Sequence, residues 1–221
     1  MQKLGDKTVI LRTYEATVQT ELFDEVCVVT DSEIIYREII QNNGKALMSR
    51  GEHECGTDRI SEAAVQFPRA EVFVNVQGDE PFTQKEALNS LLQVFEEDEN
   101  LQVASLMHII EDEEAIKNPN NVKVVVDKNS RALLFSRSVL PYHRDKTMQP
   151  IYYKHIGIYA FRKKMLLEFP KMPQTPLEKA EQLEGLRYLE HGIKMKMVLA
   201  SKGVIGIDTP EDLKQAQKFI S

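Results

Sequence analysis

Apolar runs of strand length alternate with amphipathic stretches of helix length from one end of this sequence to the other. Strand-like runs fall at 25–30, 45–49, 71–76, 101–110 and 194–200. Helical spacing appears at 8–21, 33–43, 57–67, 85–97, 177–191 and 210–219. Ala87, Leu88, Leu91, Leu92 and Phe95 give the 85–97 helix one apolar side. Strands separated by helices predict an α/β fold with a mostly parallel sheet covered on both faces. Three more strand-like runs, at 122–127, 132–136 and 152–161, follow one another directly, which predicts an antiparallel insertion or edge. The run 71–76 reads as the most deeply buried strand. Asp31 and Ser32 can cap the 33–43 helix, and Gly44 stands where its C-terminal stop is expected.

No linker, repeat or low-complexity block divides the chain. Its 221 residues, 42% of them hydrophobic, predict one domain over 1–221. A net charge of −6 speaks against nucleic-acid binding, which needs clustered Lys and Arg. No apolar run approaches the roughly 18 residues of a membrane span, and the first residues carry no apolar signal core. Cys27 and Cys55 form no CxxC pair, so an intracellular, reducing place such as the cytoplasm is the simpler reading.

In an open α/β sheet, ligands bind beyond the carboxyl ends of the strands. Gln77, Gly78, Asp79, Glu80 and Pro81 follow the most apolar strand. Gly78 lets a ligand approach the backbone. Asp79 and Glu80 place two carboxylates there, which suits a hard divalent cation. A solvated turn with capping carboxylates is the competing reading. Asp208, Thr209, Pro210 and Glu211 repeat the grammar after the run 204–207, although ordinary helix-start chemistry accounts for them alone. Two strand-end aspartates, Asp79 and Asp208, could meet at one metal. Gly56, Thr57, Asp58 and Arg59 open a helix whose free amides suit an anion, or form a plain cap with an exposed arginine.

Taken in order, the segments are specific. Val74-Asn75-Val76-Gln77-Gly78-Asp79-Glu80-Pro81 resembles the signature of the 3-deoxy-manno-octulosonate (Kdo) cytidylyltransferase family. Glu54 to Arg59, Phe135-Ser136-Arg137, Lys154 to Tyr159, Pro176 to Arg187 and Ile207 to Leu213 fit the same family in the same order. The resemblance covers essentially the whole chain. It implies a Rossmann-like nucleotidyltransferase sheet, and transfer of a cytidylyl group from CTP to Kdo, with release of pyrophosphate, for lipopolysaccharide biosynthesis. It further implies that Asp79 and Asp208 hold Mg²⁺ and serve catalysis, and that Gly56, Thr57, Asp58, Arg59, Gln77 and Gly78 bind the nucleotide. Arg137 would meet the sugar carboxylate bidentately. His155, Tyr159, Glu181 and Glu184 would bind sugar hydroxyls. The competing readings are a core histidine at 155 and a solvated 178–190 helix carrying a Glu184–Arg187 pair. A homodimer is also implied, with the antiparallel portion near 122–161 a plausible contact.

Two departures from the family pattern matter. The family's opening strand and basic loop, of the form I-P-A-R-x-x-S-x-R-x-P-x-K, has no counterpart here, because Met1 to Lys7 match the stretch just after it. Roughly 20 residues are missing relative to the family, so an N-terminally truncated domain with an unpaired sheet centre is expected. Gly185 stands where the family commonly has glutamine. That keeps open a cytidylyltransferase for another acid sugar, of the 8-amino-Kdo or sialic acid type. The missing loop keeps open a non-catalytic chain that only binds nucleotide or nucleotide-sugar.

Overall fold

A computed structural model describes residues 1–51, 53–201, 206–207 and 210–218. In chain order the described elements begin with β1 (Lys3–Leu4), β2 (Lys7–Thr8), α1 (Val9–Gln19), β3 (Val28–Thr30), α2 (Glu33–Gln41), β4 (Ala46–Met48) and α3 (Gly56–Ala64). They continue with β5 (Val72–Asn75), α4 (Lys85–Glu97), β6 (Val103–Ile110), α5 (Glu113–Lys117), β7 (Lys123–Val126), β8 (Ala132–Ser136) and β9 (Tyr152–Arg162). The chain closes with α6 (Lys163–Glu168), a 3₁₀ turn at Phe169–Lys171, α7 (Pro176–Glu181), α8 (Gly185–Glu190), β10 (Met195–Leu199) and α9 (Pro210–Gln217).

The α/β class holds. β10 pairs with β6 in parallel, and β5 and β6 both lie antiparallel to β9, so β5, β6 and β10 run the same way. The expected antiparallel portion is the β7–β8 hairpin with β9. β3 and β4 pair in parallel as a separate two-stranded sheet. Among the described residues no pairing joins β3 to β5. β3 and β5 thus each have a strand on one edge only among the described residues.

β6 is the core strand because its side chains are apolar on both faces. Val103 and Met107 pack into one cluster with Phe135, Tyr159 and Tyr188. Ala104 and Leu106 pack into the other with Leu88, Leu91 and Ile158. By contrast Val72, Phe73 and Val74 of β5 are only half-buried. The run expected to be most buried is partly wet because its second edge borders a cavity.

Three local expectations change. The 177–191 helix is two helices, broken where Gln182 takes a left-handed φ of 55°. Arg187 pairs with Glu178 rather than Glu184: its Nε lies 2.8 Å from Glu178 Oε2, and its guanidinium stacks on Phe169. Asn43, not Gly44, takes the left-handed φ after α2, at 59°. A side chain at 44 would meet Ile39 and Tyr14, a Cβ there falling 2.6 Å from Ile39 Cγ2.

Candidate active site

Most of the expected nucleotide residues border one cavity of about 1010 Å³, which Gly56, Arg59, Gln77, Gly78, Asp79 and Glu184 line together. β5 delivers the turn that follows it. Glu80 N–H donates to the Gln77 carbonyl at 3.1 Å, and the Thr13 hydroxyl donates to the Gly78 carbonyl at 3.0 Å, tying the turn to α1. Gly78 packs against α1: a Cβ there would lie 2.7 Å from Ile10 Cδ1, the tip of a side chain that would have to shift.

The Ile207 backbone N–H donates to the Asp79 carbonyl at 2.9 Å. The second acidic segment therefore reaches the first through its residue 207. Asp208 and Thr209 lie outside the described residues. Among the described residues, no group of three or more His, Cys, Asp or Glu side chains is placed to hold a metal. Asp79 and Glu80 supply oxygen donors, the type that suits Mg²⁺.

α3 opens beside the carboxyl ends of β3 and β5. Thr57 is fully buried and its hydroxyl donates to Glu184 Oε1 at 2.9 Å. Cys55 Sγ sits 3.5 Å from Asp58 Oδ2. Arg59 Nη2 donates to Asp31 Oδ2 at 3.0 Å, just past β3. Burial pushes the Glu184 carboxyl above its usual range, while hydrogen bonds from Cys55 and Thr57 pull it back down. Burial also raises the Cys55 thiol, and Glu184 adds to that. A thiol so raised is a poor nucleophile.

The sugar-side candidates come from β8, β9 and α7. β9 carries a bulge: Ser105 of β6 faces Tyr159, and the next residue, Leu106, faces Ile156. Bulges re-aim side chains. Here Gly157 sits under Gln77, where a Cβ would come 2.6 Å from Gln77 Nε2. The buried Ser105 hydroxyl donates to the Ile158 carbonyl at 2.8 Å and lies 2.8 Å from His155 Nε2. The His155 ring packs between Phe135 and Tyr159, with centroids at 4.7 and 5.2 Å. Burial first and nearby Lys154 second push its pKa down to about 3. Tyr159 is buried and its phenol is raised well above the usual range, by burial first and Glu184 second.

Arg137 and Glu181 form one unit. Glu181 Oε1 accepts from the Ser136 hydroxyl at 2.6 Å and Oε2 from the Arg137 backbone N–H at 2.9 Å. Arg137 Nε donates to the Glu181 carbonyl at 2.8 Å, and Nη1 to the Pro119 carbonyl at 3.2 Å. Gly185 is buried, and a Cβ there would fall 3.2 Å from both Phe135 Cε2 and the Tyr159 hydroxyl.

Sequence reasoning missed Ser105, Ser136, Asp31 and the Glu178–Arg187 pair. Ser105 had a signal: it is the one hydroxyl within the apolar strand Val103–Ile110, and such a group must find a partner. The others depend on contacts far apart in sequence and left no local pattern.

A sequence profile described as cytidylyltransferase matches residues 1–197. The 3-deoxy-manno-octulosonate cytidylyltransferase of Flavobacterium johnsoniae is 55% identical over 222 residues, covering 100% of this chain and 91% of the relative. The chain belongs to the 3-deoxy-manno-octulosonate cytidylyltransferase family. The Bacteroides thetaiotaomicron member is 42% identical, covering 98% of this chain and 89% of its own. A solved CMP:2-keto-3-deoxy-manno-octonic acid synthetase, complexed with CTP, superimposes with a TM-score of 0.91 at 36% identity, over 99% of this chain and 90% of that one. The 4-diphosphocytidyl-2C-methyl-D-erythritol synthase of Anaerococcus prevotii shares the fold at a TM-score of 0.64 and 17% identity, covering 99% of this chain and 91% of that one.

Proposed function

We propose that this family member transfers the cytidylyl group of CTP to Kdo, giving CMP-Kdo and pyrophosphate. The observation that carries the reading is 55% identity, across the whole chain, to a relative of that name. In the reaction the anomeric hydroxyl oxygen of the sugar bonds to the α-phosphorus of CTP. The bond from that phosphorus to the β-phosphate oxygen breaks, pyrophosphate leaves, and the hydroxyl proton passes to water. The protein's task is alignment and charge neutralisation.

The residue roles are those the family resemblance implies, and the cavity supports them on the nucleotide side only. Gln77, Gly78 and the first turn of α3 (Gly56, Thr57, Asp58 and Arg59) take the nucleotide, because most of them border the cavity at the carboxyl ends of β3 and β5. Arg137 takes the sugar carboxylate. Glu181 holds Arg137 in place, since both its carboxylate oxygens are engaged by residues 136 and 137. His155, Tyr159 and Glu184 face sugar hydroxyls, with His155 neutral. Asp79 and Asp208 are the residues proposed to hold Mg²⁺, which would supply neutralisation of the phosphate charge.

A cytoplasmic homodimer completes the proposal. Leu133, Val139 and Ile151 present exposed apolar side chains within 122–161, of the kind that subunit contacts bury. The test is pyrophosphate release from CTP and Kdo with Mg²⁺, run beside an 8-amino sugar and a sialic acid. Turnover of Kdo above the other two supports the reading. Preference for another sugar moves the substrate, and Mg²⁺-dependent CTP binding without turnover of any sugar would make this a binding chain.

A further inference from the structure

Ser105 lies inside the core strand β6 and is fully buried. A seryl hydroxyl has one proton to give and two lone pairs to receive with. The Ile158 carbonyl oxygen lies 2.8 Å from this hydroxyl, the Ile156 carbonyl oxygen 3.2 Å and His155 Nε2 2.8 Å. These groups belong to the stretch of β9 around its bulge, where Ser105 faces Tyr159 and Leu106 faces Ile156.

Only one placement of the proton satisfies them all. Carbonyl oxygens accept and cannot donate. An oxygen-to-oxygen approach of 2.8 Å needs a proton between the atoms. The hydroxyl therefore donates to the Ile158 carbonyl and turns a lone pair to His155 Nε2. That nitrogen must carry a hydrogen and donate it. In a neutral imidazole one nitrogen donates and the other accepts. Burial keeps this ring neutral, so Nδ1 is left as an acceptor.

Nδ1 is also the open side of the ring. Among the described residues it meets no hydrogen-bond partner, and it is not buried. The faces of the ring are taken by Phe135 and Tyr159, with centroids at 4.7 and 5.2 Å. Phe135 leads directly into Ser136 and Arg137, so the ring is clamped beside the residues assigned to the sugar. Turning the ring over would exchange its two nitrogens and break the bond to Ser105.

We propose that Ser105 is a positioning residue: it holds His155 as the Nε2–H tautomer, and Nδ1 then accepts a hydrogen bond from a hydroxyl of the acid sugar. This rests on the reading of His155 as a sugar contact, and adds the direction of the bond and the residue that sets it. A group fixed as an acceptor selects a hydroxyl over an analogue without the hydrogen, because its lone pair is otherwise left unpaired. Threonine at 105 would keep the hydroxyl that sets the tautomer. Alanine would release the ring to exchange tautomers or turn.

The tautomer is read first, by heteronuclear NMR of the imidazole nitrogens in the unaltered chain at neutral pH. His155 is assigned by the signals lost in His155→Phe. A single form is expected, with hydrogen on Nε2 and a bare Nδ1. Hydrogen on Nδ1, or two nitrogens averaged by exchange, overturns the proposal whatever the substrate is. In Ser105→Ala the two nitrogens should average, and in Ser105→Thr the single form should return. An unchanged single form in Ser105→Ala would show that something other than the hydroxyl sets it. Kinetics are read second, with CTP and whichever acid sugar turns over. Ser105→Ala should raise KM for the sugar about tenfold or more, with kcat and KM for CTP changed less than about threefold, and Ser105→Thr should recover most of the loss. In the His155→Phe background the same Ser105→Ala change should cost less than about threefold, because the group it positions is gone. Equal cost in both backgrounds rejects the proposal and leaves Ser105 as a strut of the β9 bulge. If no sugar turns over, the substrate reading fails, while the tautomer result still decides the role of Ser105.

Discussion

At the residue scale, Asp79 combines the strongest local pattern with the most informative position. The strand before it fixes where it starts, the Thr13–Gly78 bond fixes the turn, and Ile207 N–H holds its carbonyl. Replacing its carboxylate by the isosteric amide keeps the shape and removes the charge. Asp79→Asn should lower kcat on the order of 100-fold or more, with an unchanged circular dichroism melt, since one ligand charge at a phosphoryl-transfer site is worth several kcal/mol. A loss under about threefold would remove Asp79 from the chemistry. This residue was legible because strand, glycine and acid are adjacent in sequence. Thr57 was legible as part of a helix opening suited to an anion, but Glu184 only through family resemblance, and their pairing not at all, since 127 positions separate two groups that sit 2.9 Å apart.

His155 supports a prediction of a different kind. Its pKa falls from an ordinary 6.5 to about 3 in the folded chain. The folded state therefore disfavours the proton, and stability is complete above pH 6.5 and lost as pH drops below it. His108, also lowered by burial, acts in the same sense. Melting temperature should decline between pH 6.5 and 5, above the carboxylate range. His155→Gln, which keeps a polar group for Ser105 but does not titrate, should flatten that decline by about half. A parallel slope in the variant would assign the effect to His108.

At the scale of elements, the helix 177–191 shows what periodicity misses. Its apolar spacing is continuous, yet Gln182 breaks it with a left-handed backbone. The break folds α8 back so that Arg187, beyond it, reaches Glu178 before it. In a single straight helix these two residues would stand about 13 Å apart along the axis. Arg187 is 1% exposed, and a buried charge without its partner is expensive. Glu178→Gln should cost about 3–5 kcal/mol in urea unfolding, whereas the double variant Glu178→Gln with Arg187→Met should recover much of that. Equal losses in single and double variants would show that the pair does not act as a unit. Elsewhere the elements were legible: α4 occupies the expected 85–97, and β8 the expected 132–136. α6 was not, because Lys163–Glu168 is too short for its spacing to stand out.

At the scale of the whole molecule, strand content was readable and strand adjacency was not. The sequence shows apolar runs at β3 and β5, but nothing local says which strands flank them; only the family resemblance pointed to an unpaired sheet centre, and among the described residues neither has a strand on its second edge. That gap divides the fold into two parts of unequal support. β6 has β10 on one side and β9 on the other, with apolar clusters on both faces. Among the described residues β3 and β4 pair only with each other, over three residue pairs. Amide exchange follows such differences, because local opening costs least where few buried contacts must be broken. Residues 103–107 and 158–161 should exchange slowest, near the rate of global unfolding. Residues 28–30 and 46–48 should exchange at least about a hundredfold faster, reflecting a local opening about 3 kcal/mol cheaper. Residues 72–75, bonded on one edge only, should fall between them. If the β3–β4 pair proved as protected as β6, the two-stranded sheet would have to be coupled to the core through the helices packed on it, α3 among them. Arg59→Ala, which cuts the tie from α3 to Asp31, would then lower protection in β3 more than in β5.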